Sequence, residues 1–306
     1  MVVFDFLDVA AAQLNRGQTG AAIETLRRFL ADEPESAPGH ALLALALLRQ
    51  RRLHAAEHEA RESLALSPEL GLAHRALSSV LLARRDMDGA LSHCERAIAL
   101  EPELAIGHQQ LASLLAVAER GKEALAAAQK ACALAPDDAA CLSTLGDCHL
   151  RLGALADAER CASEALSHEP ESADALLLRG RVFLARGDTE AARDHALWVL
   201  QSDPGDDDAL RLLVQAKARA NLLLGTWWRL NSYLSRSTQR AIAVLVGVYL
   251  LQRFVTLWAV LNDRDMLAQV VAYGWLAVCA YSWFSPMIYR RMLEKELERV
   301  TLRSDF

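Results

Sequence analysis

Three histidines, His40, His74 and His108, stand 34 residues apart. Side chains repeated at a fixed interval can stack into a row. A row of imidazoles could bind a metal or sense protons, because histidine ligates metals and titrates near neutral pH. The plainer reading is one structural residue copied along with its surroundings. His54 and His58 are spaced i,i+4, which places both on one helix face as a chelating pair or as an ordinary surface pair. Cys132, Cys141, Cys148 and Cys161 show no CxxC spacing and fall at core-type positions of adjacent helices. They read as packing thiols in a reducing compartment rather than as a metal site. Arg253, beside Gln252, lies near the middle of an apolar run. A central arginine costs ~2.5–3.5 kcal/mol in a bilayer. It reads as an assembly or pore contact, as a cation–π partner of Trp275 at similar depth, or as a snorkelling side chain. There is no P-loop, no GxSxG and no HExxH, and the carboxylates form no recognisable acid/base pair. The chain therefore reads as no enzyme, with no cofactor and no metal.

The elements that position these residues follow from composition and period. Ala, Leu, Glu and Arg dominate the 306 residues, and Val, Ile and Thr are sparse before residue 240. That bias predicts an all-helical front. Prolines fall at 34, 68, 102, 136, 170 and 204, and alanines at 22, 56, 90, 124, 158 and 192, every step being 34 residues. Apolar and small columns keep the same step. One runs Val9, Leu43, Leu77, Leu111, Leu145; another Ala10, Ala44, Ser78, Ala112, Gly146, Gly180; a bulky one Leu30, Leu64, Ile98, Cys132, Leu166, Leu200. An alanine column marks helices that cross too closely for a larger side chain. Gly17, Gly153 and Gly187 mark left-handed turns between helices, and each proline begins the step to the next unit.

A 34-residue unit with these small, bulky and proline columns resembles the tetratricopeptide repeat. The resemblance covers roughly residues 3–206 as six repeats. It implies an all-α helical-repeat solenoid over 1–206, with 207–224 as a capping helix over the last repeat. The family's usual Trp at the fourth position is His or Leu in repeats 2 to 6, so the histidine row stands where an aromatic would. The resemblance also implies a partner groove on the inner face. Its lining positions map to Leu45, Leu48 and Arg49, then Arg75, Ser79 and Leu82, then Gln109, Ser113 and Val117. They continue with Ser143, Asp147, Leu150 and Arg151, then Leu177, Arg181 and Leu184. The Lys/Asn clamp of the family's chaperone-tail binders is not matched. The mixed apolar and arginine lining suits an extended or helical peptide.

Residues 241–261 and 266–288 are each long and apolar enough to span a bilayer, and the NDRD link makes them antiparallel neighbours. They predict a two-helix transmembrane hairpin over 241–289, or a re-entrant wedge. An interfacial segment over 225–240 precedes it and a charged amphipathic tail over 290–306 follows. Trp227, Trp228 and Trp283 read as interfacial anchors. Net charge is −12 on residues 1–216 and +6 on 217–306. The front would be repelled by nucleic acid and the back drawn to anionic lipid. Arginines flank the outer ends of the hairpin, and the N-terminus lacks a secretory signal. The expected location is thus a multi-pass inner (cytoplasmic) membrane protein of a bacterium, with the solenoid and C-terminus in the cytoplasm. The functional expectation is a membrane-anchored scaffold that recruits a protein partner. Alternatives are a homo-oligomeric membrane-shaping lattice and a small oligomeric pore.

Overall fold

A computed structural model describes residues 2–220 and, beyond them, 249, 252–258, 261, 264, 266, 269, 271 and 273–275. The chain forms two compact units, Met1–Val182 and Phe183–Phe306. The first holds five helix pairs: α1 (Val2–Asn15) with α2 (Thr19–Asp32), α3 (Ala37–Arg49) with α4 (Leu53–Leu66), α5 (Gly71–Ala83) with α6 (Met87–Leu100), α7 (Ala105–Val117) with α8 (Gly121–Leu134), and α9 (Ala139–Arg151) with α10 (Leu155–His168). The unit boundary falls within α11 (Ala173–Arg186), and the second unit continues with α12 (Thr189–Ser202) and α13 (Asp207–Ala220). From α3 onward the odd-numbered helices start at 37, 71, 105, 139, 173 and 207, so the sequence period is the structural period.

Local chemistry sets these boundaries. Ser36, Asp86, Asp138 and Asp188 cap helix N-termini, each accepting a hydrogen bond from a first-turn backbone N–H. Every proline of the period lies in the turn or just after the helix end that precedes the next repeat. The turn inside each pair needs a left-handed residue. Gly17, Gly153 and Gly187 supply it with φ of 74°, 82° and 92°. At the same column Arg51, Arg85 and Glu119 take φ of 58°, 66° and 61°, a conformation that strains any residue with a Cβ.

Packing follows the columns. Ala22, Ala56, Ala90, Ala124, Ala158 and Ala192 are all buried, as helix crossings demand. The core of the first unit is a succession of small clusters, such as Leu26, Leu43, Leu47 and Val80 near its start and Cys161, Leu178 and Val182 near its end. Such serial cores are what stacked repeats produce, because each unit buries its apolar face only against its neighbours. Gly146 marks the tightest approach: a Cβ there would run into Leu178 and come within 3.1 Å of the Cys161 Cβ. Val9 departs from its column. It is exposed, whereas Leu43 and Leu77 of the same column are buried. In the second unit α13 packs on α12 and buries Ala209, Leu212, Leu213 and Ala216.

Among the described residues no helix is long and apolar enough to cross a membrane. The expected interfacial segment, most of the hairpin and the tail lie outside the described residues, with Trp227, Trp228 and Trp283. Residues 252–258 are helical, and within them Arg253 is exposed. Among the described residues of this region Arg264 lies over the Trp258 ring, at 5.8 Å from its centroid. Arg253 makes no such contact with Trp275. The Gln252 side chain donates to the Thr256 hydroxyl at 3.3 Å, and that hydroxyl donates to the Gln252 carbonyl at 2.7 Å.

Candidate functional site

The odd-numbered helices of the first unit leave a cleft between α5 and α7. These two helices touch sparingly, whereas α3 and α5 pack closely. The cleft holds an open cavity of ≈ 300 Å³. Its apolar wall is Leu45, Leu82, Ile106 and Leu114, and its polar side is Arg75, Ser79, Gln109, Gln110 and Ser113. Six of the expected lining residues therefore meet here: Leu45, Arg75, Ser79, Leu82, Gln109 and Ser113. Ile106, Gln110 and Leu114 are additions. Leu114 sits in a core-type register and Ile106 in a column that also holds Pro38, Leu72, Ala140 and Asp174, so periodicity offered no reason to place either on the groove.

Most polar groups of this cavity already spend hydrogen on the protein. The Ser79 hydroxyl donates to the Arg75 carbonyl at 3.1 Å, and the Ser113 hydroxyl to the Gln109 carbonyl at 3.2 Å. The Gln110 amide donates across the cleft to the Arg75 carbonyl and the Ser79 hydroxyl, both at 2.9 Å. The Gln109 amide donates to the Thr144 hydroxyl at 3.1 Å. Arg75 differs. Its guanidinium makes no hydrogen bond or ion pair among the described residues, and its Nε is buried without a partner. Burial lowers its pKa from the ordinary arginine value, while Glu101 and then Cys94 act in the opposite sense. A partly buried cation lacking hydrogen bonds is costly, and the cost is recovered when an acceptor arrives.

The remaining expected groove residues do other work. Arg49 donates to the Leu14 carbonyl, and Arg151 to the Ala116 carbonyl at 3.4 Å, in each case 35 residues earlier. In the second unit Arg219 does the same to the Leu184 carbonyl at 2.6 Å. Each acceptor lies in the last turn of a helix, where it also accepts from the backbone N–H of the left-handed turn residue and where the dipole favours a cation. These arginines clasp one odd-numbered helix to the next. Arg181 bonds Asp147 at 2.9 Å through one terminal nitrogen, while its Nε, like that of Arg75, is buried without a partner. Leu177, Ser143 and Leu184 are corrections: all three are buried, not groove-lining. Ser143 donates to the Ala139 carbonyl at 2.6 Å. Leu48 and Leu150 pack partly buried against core clusters, and Val117 is exposed.

The histidine row is structural. His40, His74 and His108 each bond the carbonyl of the proline six residues before, Pro34, Pro68 and Pro102, at 2.9, 3.1 and 3.1 Å through Nε2. Each ring thereby closes the turn that delivers its helix. The second nitrogens diverge: His40 Nδ1 meets Glu59 at 2.6 Å, and His74 Nδ1 meets His93 Nδ1 at 2.9 Å. The described residues contain no group of three or more His, Cys, Asp or Glu placed to hold a metal. Burial pushes the thiols of Cys94 and Cys132 up to about 12 and those of Cys141 and Cys148 to about 11. Burial also raises Cys161, which disfavours the nucleophilic thiolate at all five positions.

A family profile described as the tetratricopeptide repeat matches residues 7–69, 41–105 and 143–207. No curated protein matches the chain. Among solved structures, a thermophilic TPR protein of Thermus thermophilus is 22% identical with a TM-score of 0.55, covering 60% of this chain and 99% of that one. A tetratricopeptide repeat protein of Parabacteroides merdae is 14% identical with a TM-score of 0.56, covering 69% and 83%. PilW, a widely conserved type IV pilus biogenesis factor, is 18% identical with a TM-score of 0.51, covering 70% and 99%. At these identities the likeness concerns the fold alone.

Proposed function

This chain belongs to the tetratricopeptide repeat family, whose members are protein-interaction scaffolds, and from that premise we propose that it recruits a protein partner through the α5–α7 cleft while its C-terminal part holds it at the cytoplasmic face of the inner membrane. The observation that carries the recruiting role is the ≈ 300 Å³ cavity with the unpartnered Arg75 guanidinium in it. Apolar walls with few placed polar groups are how binding sites obtain both affinity and orientation. Arginine beside desolvated apolar surface is a frequent hot spot.

The direct test places a photo-reactive residue at Ser113 in the full-length protein in its own membrane. A cross-linked partner that disappears on Arg75→Glu, with the helical CD spectrum unchanged, supports the reading. Capture that is indifferent to Arg75→Glu moves the binding surface elsewhere.

The anchoring half rests on sequence: two apolar stretches of bilayer length, a short polar link and arginines on the outer flanks. Spanning is favoured over a wedge because twenty helical residues rise about 30 Å, the thickness of the hydrocarbon core, and the polar link is costly among acyl chains. The check is a single cysteine at Asp263 with the native cysteines replaced. Labelling of intact cells by an impermeant thiol reagent supports two spans. Labelling only after the cytoplasmic face is opened leaves a re-entrant wedge.

A further inference from the structure

We infer that the α5–α7 cleft selects a peptide by one internal acidic side chain, whose carboxylate pairs with Arg75 while a neighbouring aliphatic side chain packs on Leu45, Leu82 and Ile106. This rests on the groove reading above and names the chemistry of its ligand. Both serine hydroxyls of the cavity donate to helix carbonyls, the Gln110 amide donates to two protein acceptors and the Gln109 amide to one, which leaves Gln109 a single neutral N–H. Arg75 is the cationic group of the lining, and its Nε has no partner. A carboxylate is the peptide group that matches a guanidinium fork, and such charge-assisted pairs are about twice as strong as neutral hydrogen bonds.

Two further observations narrow the ligand. The first 216 residues carry a net charge of −12, so a long acidic run would be repelled. Screening over about 8 Å at physiological salt leaves a single, locally neutralised carboxylate largely unopposed. A chain-terminal carboxylate would have to bring the end of the backbone, with its own polar groups, into the apolar part of the cleft. A side-chain carboxylate instead reaches Arg75 from a backbone that stays at the rim, and the open ≈ 300 Å³ cavity is the size for one or two side chains. The aliphatic wall then excludes water from the pair.

The test uses full-length protein in detergent and three fluorescent peptides in an Ala/Leu/Lys background, each carrying a photo-reactive group. One has capped ends and a central Glu, one has capped ends and a central Gln, and one has a central Gln with a free C-terminal carboxylate. The expected result is binding of the Glu peptide at least tenfold tighter than either other, with cross-linking to the cleft. Arg75→Gln should abolish that preference, and Arg75→Lys should retain part of it. Equal binding of the Glu and capped Gln peptides, cross-linked at the cleft, overturns the carboxylate assignment and leaves the groove reading standing. Preference for the free C-terminus overturns the choice of an internal residue. Preference for Glu that persists in Arg75→Gln overturns the role of Arg75. Failure of all three to cross-link at the cleft overturns both readings.

Discussion

At the scale of the residue, the turn column shows how one backbone demand is met by unequal side chains. Gly17, Gly153 and Gly187 adopt positive φ without a Cβ in the way, while Arg51, Arg85 and Glu119 adopt it against steric resistance. The left-handed conformation costs a non-glycine residue about 1–2 kcal/mol, and glycine returns part of that gain as greater freedom in the unfolded chain. Glu119→Gly should therefore stabilise the protein by roughly 0.5–1 kcal/mol. A CD melt reads this as a midpoint a few degrees higher, and an unchanged or lower midpoint would show that Glu119 gains elsewhere what its backbone loses. The glycines of this column were legible in the sequence. Their charged equivalents were equally in register but carried no compositional mark. The groove was half legible for a related reason. Column position predicts which way a side chain starts out but not what it meets. The acceptors of Arg49 and Arg151 are backbone carbonyls 35 residues away, invisible to any pattern of residue types. Leu177 occupies the same column as Arg75 and Gln109, yet as an apolar side chain it is buried.

At the scale of the element, helix pairs are held by close crossings, and these were the most readable feature because the requirement for smallness recurs every 34 residues. Ala124 is buried in a cluster with Ala112, Leu115, Ala128 and Cys148. Ala124→Trp forces a large ring between α7 and α8, and overpacking typically costs about 1–3 kcal/mol. The damage should be seen as a lowered and broadened thermal transition, since repeats depend on their neighbours for burial. A variant that melts like the parent would mean that the assigned crossing is not where the helices meet. The boundaries of the helices were legible from the proline and glycine columns.

At the scale of the whole molecule, the repeats carry their own core, their caps and the α5–α7 cleft. A fragment ending at Ala220 should stay in solution, give a strongly helical CD spectrum and bind the Glu peptide within about twofold of the full chain. Precipitation, or loss of helicity relative to the full-length protein, would show that the following residues contribute to the fold rather than only to its location. The arginine clasps have a mechanical consequence within the first unit. Arg49 ties α3 to α1 and Arg151 ties α9 to α7, but Ala83 and Val117 occupy the matching positions on α5 and α7 and have nothing to tie with. Of the α3–α5 and α5–α7 seams, the first is closely packed, whereas the second touches sparingly and is held by the two Gln110 hydrogen bonds to Arg75 and Ser79. The cavity lies in that second seam. A peptide that wedges α5 and α7 apart would trade one polar bridge for its own contacts and leave the packed α3–α5 face untouched.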